Sequence, residues 1–103
     1  MAVPPKELQD AARKALETRR ELAPSARAGT PVGLARARDI ANGADLSRNT
    51  LLRMHSYLSR TEEEYKRARS QGKDITNSKQ ILATYLWGGP SALAWVRRQL
   101  NIT

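Results

Sequence analysis

The sequence predicts an all-α protein: a compact bundle of four short helices preceded by an N-terminal helical arm. Three observations carry this. No stretch alternates apolar and polar residues over five positions, and Val and Ile are few, so strand signals are nearly absent. Apolar residues instead recur at three- and four-residue spacing, the period of a helix face. Proline, glycine and hydroxyl residues stand where helices start and stop.

The first helix is expected over about residues 5–22. Pro4 and Pro5 suit a helix start, because proline lacks an N–H that would be unpaired there anyway. Glu7 and Asp10 favour the positive end of the helix dipole, and Arg19 and Arg20 the negative end. Its apolar stripe, Leu8, Ala12, Ala15, Leu16 and Leu22, is narrow and rich in alanine, which predicts a loosely docked arm. Pro24 stops it, and residues 23–30 read as a linker. The chain therefore divides into residues 1–30, helix and linker, and 31–103, a helical domain.

Thr30-Pro31 opens a second helix, a threonine N-cap with proline in the first turn, running to about Ala41. Leu34, Ala37, Ile40 and Ala41 form its inner face, and Asn42-Gly43 ends it. Ser47 caps a third helix, with Leu46 and Leu51 placed as a hydrophobic staple. Leu51, Met54 and Leu58 make this the best amphipathic segment of the chain. Thr61 and Glu64 have capping-box spacing, so the helix either restarts at Thr61 or continues as an exposed extension over 61–71. A fourth helix is expected from about Asn77, with Ile81, Leu82, Tyr85 and Leu86 inward. Gly88-Gly89-Pro90 breaks it, and a fifth follows with Leu93, Trp95, Val96 and Leu100. So short a link folds the last two helices back on each other, with Trp87, Gly88, Gly89 and Trp95 forming a structural corner.

The charge narrows the partner class. The chain of 103 residues has 18 Lys+Arg against 10 Asp+Glu, a net +8, and arginine supplies most of the cations. The guanidinium is a planar fork that matches phosphate, where lysine is a point charge. Residues 61–75 are neutral in sum, so the excess belongs to the rest. A polyanion is the expected partner, nucleic acid first. Arg53 and Arg60, seven apart, share a helix face; Arg36, Arg97 and Arg98 complete the expected phosphate-contacting set. Arg36 and Arg38 point about 200° apart on a helix, so one faces solvent while the other pairs with Asp39 or Asp45.

Other chemistry finds little support. There is no cysteine and one histidine, which leaves no disulfide and no Cys- or His-based metal site. His55 has no nucleophile at productive spacing, since Ser56 and Ser59 lack the strained turn that activates serine. The carboxylates of Glu62, Glu63 and Glu64 diverge on a helix. No glycine-rich phosphate loop is present, and no enzyme activity, cofactor or metal is expected. No apolar run approaches the ~18 residues of a membrane span, and no apolar segment follows Lys6 as a signal peptide requires. A soluble intracellular protein is expected, with no membrane partner. Residues 31–60 have the outline of a helix-turn-helix, but the position four before Gly43 wants a small residue and holds Asp39. Arg38 occupies an expected buried site, which argues against a standard DNA-reading version.

Three stretches read Val32-Gly33-Leu34-Ala35-Arg36-Ala37-Arg38-Asp39-Ile40-Ala41-Asn42-Gly43, then Leu46-Ser47 to Thr50-Leu51-Leu52-Arg53-Met54, then Ile81-Leu82-Ala83-Thr84-Tyr85-Leu86-Trp87-Gly88-Gly89 followed by Ala94-Trp95. In this order they resemble a small helical module of tailed-bacteriophage proteins, often found beside head-assembly proteins, across about two thirds of the chain. Two departures stand out. Members tend to carry a histidine soon after the third helix, where this chain reads Ser59-Arg60-Thr61, and Glu62–Lys73 has no counterpart. The resemblance implies a bacteriophage context, in the cytoplasm of an infected host cell or in the virion, and transfers no catalytic residue. The leading expectation is a small basic phage protein binding nucleic acid. The alternative is a structural or head-assembly protein binding phage or host proteins, with the charged extension and first helix as docking surfaces. The under-buried first helix leaves room for a homo-oligomer.

Overall fold

A computed structural model describes residues 1–102, in which five α-helices follow one another. They are α1 (Lys6–Glu21), α2 (Pro31–Ala41), α3 (Arg48–Ser70), α4 (Lys79–Leu86) and α5 (Ala92–Leu100), with one 3-10 turn at Pro24–Ala26. No strand occurs among the described residues; the nearest approach is an isolated antiparallel pairing of Ala2 with Leu46. The protein is all-α, as its sequence predicts.

The helix starts follow from local chemistry. Thr30 and Ser47 are the N-caps of α2 and α3, their hydroxyls accepting from the Gly33 and Thr50 N–H groups. The α4 cap falls one residue later than expected, on Ser78, which accepts from Ile81 N–H. Asn77 is used in the preceding turn, where its side-chain carbonyl accepts from the Asp74 N–H. Helix α3 does not break at Thr61. The Thr61 hydroxyl donates to the Tyr57 carbonyl one turn back, at 2.9 Å, and the helix runs on for 23 residues.

Helix α1 precedes the other four, and it is docked more closely than its composition suggests. Leu8, Ala12 and Ala15 are buried, and α1 packs on both α2 and α4. Alanine contributes little apolar area, but its size lets backbones come close. The corner after α4 uses that closeness. Gly88 and Gly89 have φ of +111° and +85°, and a Cβ at Gly89 would lie 2.7 Å from the Ala11 Cβ. Arg13 of α1 adds a polar tie, donating to the Ala41 carbonyl at the end of α2, at 3.0 Å. Residues from 1–30 therefore join the same apolar cluster as Leu51, Met54, Ile81, Leu82 and Val96. Trp87 and Trp95 are both buried at the corner. Among the described residues no helix is long and apolar enough to cross a membrane.

Candidate nucleic-acid interface

Arg53 and Arg60 are exposed on α3, two turns apart, and both line one groove with a volume of about 370 Å³. The start of α2 (Gly29, Thr30, Val32) forms the facing wall, and Trp87 closes the floor with Tyr57. Tyr57 and Trp87 stack with ring centroids 5.0 Å apart and planes 17° from parallel. The Arg60 guanidinium lies over the Tyr57 ring, 5.7 Å from its centroid. With Trp87 stacked on it and Arg60 above it, the Tyr57 ring has little free face. Its work is support: a cation–π contact of this kind adds ~0.5–1 kcal/mol at an exposed site and holds the arginine fork at the groove's edge. Burial pushes the Tyr57 phenol above its ordinary pKa, partly offset by a hydrogen bond from Gln80 and the charge of Arg60.

Both charged residues that line the groove are arginines, with Glu64 the carboxylate whose charge is also felt at Tyr57. Among the described residues neither Arg53 nor Arg60 makes an ion pair. The N-terminus of α2 adds the positive end of a helix dipole. Thr30 satisfies the Gly33 N–H and Pro31 has none, so the Val32 N–H is the first-turn donor that helix geometry leaves over.

The other expected contacts are placed elsewhere. Arg36 is half-buried and bonded to Asp39 at 2.9 Å, with its Nε buried and without a partner. Its charge is engaged by Asp39, and Arg38 is the member of that pair that faces solvent. Arg97 and Arg98 lie in the last turn of α5, where they complement the helix dipole, and neither lines the groove. The structure thus brings together two of the five arginines expected to act as a set. The groove members that sequence reasoning passed over are Tyr57, Thr30 and Val32. Tyr57 was within reach, since it lies four after Arg53 and three before Arg60 and so must share their face.

His55 and Ser59 are one turn apart, with Nε2 and Oγ separated by 3.5 Å, the outer limit of a hydrogen bond. No hydrogen bond to its other ring nitrogen orients the imidazole among the described residues, which a serine-activating base requires. No protein-family model, curated protein or solved structure matches this chain.

Proposed function

We propose that this is a small, basic, non-enzymatic protein that binds nucleic acid mainly through arginine–phosphate contacts. One observation carries the reading: Arg53 and Arg60 share a groove at the start of α2, and neither makes an ion pair among the described residues. Phosphate oxygens are the acceptors such forks fit best. The likeness of residues 32–100 to a tailed-phage module supports a setting in the infected cell or the virion.

Binding of this kind releases counterions, so it must weaken steeply as salt rises. A gel-shift titration of a DNA fragment at several salt concentrations checks it. The slope of log affinity on log salt is expected to be shallower by about two in the Arg53→Ala/Arg60→Ala variant, roughly one unit for each phosphate no longer neutralised. Binding by the wild-type chain that does not respond to salt sinks the reading.

A second reading, a head-assembly protein that binds other proteins, rests on a smaller feature. A cleft of about 100 Å³ opens between the α3 extension and the corner, lined by Leu58, Tyr65, Pro90 and Leu93. The α1 stripe does not support this reading, because its apolar side chains are used internally. Co-purification with capsid proteins, without retention on a DNA column, favours it over the first.

A further inference from the structure

A second basic cavity lies close to the groove, and among the described residues no acid lines it. Arg19 and Arg20 at the end of α1, Arg27 in the linker and Arg38 on α2 surround a volume of about 250 Å³, floored by Leu16 and Leu34. That is far more than the ~30 Å³ a water takes up in the liquid. Four guanidinium groups around one concavity repel each other unless an anion joins them. None of the four makes an ion pair among the described residues. Two are aimed in advance. The Arg19 Nε donates to the Ala28 carbonyl at 2.8 Å. The Arg27 Nε donates to the Leu22 carbonyl at 3.0 Å, and its Nη2 to the Arg20 carbonyl at 3.1 Å. Side-chain entropy is thereby lost on folding and not on binding, which favours capture of an anion.

Gly29 of the groove stands beside Arg19 and Leu34 of the second cavity. This residue lines the groove, and its Cβ position lies 3.6 Å from the Arg19 Nε and 3.1 Å from the Leu86 Cδ1. Gly29 is exposed and has a φ of +111°, a conformation that suits a residue without a side chain.

We infer that the ligand is a single strand of nucleic acid whose backbone runs from the Arg53–Arg60 groove over Gly29 into the Arg19/Arg20/Arg27/Arg38 cavity. The inference rests on the nucleic-acid reading above and narrows it to one form of ligand. Single strands track a positively charged groove with their backbone. A single strand bends freely and can lay successive phosphates into both hollows. A duplex, with a persistence length of ~500 Å, stays straight over the 36 Å length of the protein and reaches both only where they face one line.

The test is fluorescence anisotropy with labelled oligothymidylate in two lengths, one that fills the groove only and one that reaches both cavities, beside a duplex of the longer length. Arg20→Gln/Arg38→Gln removes two cations whose side chains make no hydrogen bond among the described residues, so the fold is kept, which circular dichroism verifies. Arg27→Gln serves as a second variant. For the long strand, the salt slope of the double variant should be shallower by about 1.4, ~0.7 for each single-strand phosphate released. The short strand should bind the variant and the wild type alike. The duplex should bind more weakly than the long strand. An unchanged slope in both variants, while Arg53→Ala/Arg60→Ala is impaired, overturns this inference and leaves the broader reading intact. Duplex binding as tight as that of the long strand overturns it too. A wild-type chain that binds no oligonucleotide brings down both readings.

Discussion

Gly88 and Gly89 answer to two constraints at once, a positive φ and the near wall of α1. A methyl group at Gly89 meets the Ala11 Cβ at 2.7 Å, well inside contact distance. Gly89→Ala is therefore expected to cost ~2–4 kcal/mol, backbone strain and overpacking together. Gly72 also has a positive φ, of +76°, but nothing lies within 4 Å of its Cβ position. Gly72→Ala should cost only the left-handed penalty, ~1–2 kcal/mol. Urea unfolding of the two variants separates the effects, and equal losses would mean that α1 does not press on the corner. At this scale the sequence was legible where chemistry is local. Thr30 and Ser47 were readable as caps because a hydroxyl before a helix has one evident use. The fates of Arg36 and Arg38 were readable only as alternatives, because which of the two meets Asp39 depends on how α2 is turned against the core. Arg27 was invisible as a ligand-facing residue, since its position depends on carbonyls that a linker presents only once folded.

At the scale of elements, the helices were easy to find and their docking was not. Helix α3 was predicted from Leu51, Met54 and Leu58, all buried in the structure. Its continuation past Thr61 was open, because a capping-box pattern inside a helix competes with the helix itself. There the Thr61 hydroxyl bonds backwards to the Tyr57 carbonyl instead. Ser47, at the true start of α3, bears the capping role alone. Ser47→Ala should destabilise by about 1 kcal/mol in thermal unfolding, the usual cost of a lost N-cap. The same change at Ser59, within the helix, should cost much less. The alanine stripe of α1 misled because area is a poor measure of fit. Fit also depends on the facing surface, here Gly88 and Gly89 far along the chain, which Leu8 and Ala11 approach closely.

For the whole molecule the consequence of that fit is that residues 1–30 are part of one core. Removing residues 1–26 uncovers the bed of Leu8, Ala12 and Ala15 on α2 and α4 and deletes the Arg13–Ala41 bond. The remainder is expected to lose its cooperative thermal transition, as followed by circular dichroism at 222 nm. A sharp transition with the helix content of four intact helices would show that residues 31–103 fold alone. The net +8 behaves differently at this scale from how it reads in the sequence. Six of the 18 basic residues line two hollows beside the α1–α2 linker, and composition could not show that, because these arginines come from three separate stretches. One further property follows from α3. At 1.5 Å per residue its 23 residues reach ~35 Å, nearly the 36 Å of the longest dimension. Its first half is anchored in the core, and its second half ends in the open turn at Gly72. That tip is a ready-made handle, a place to attach a dye, a surface tether or a fused domain with little disturbance to the core.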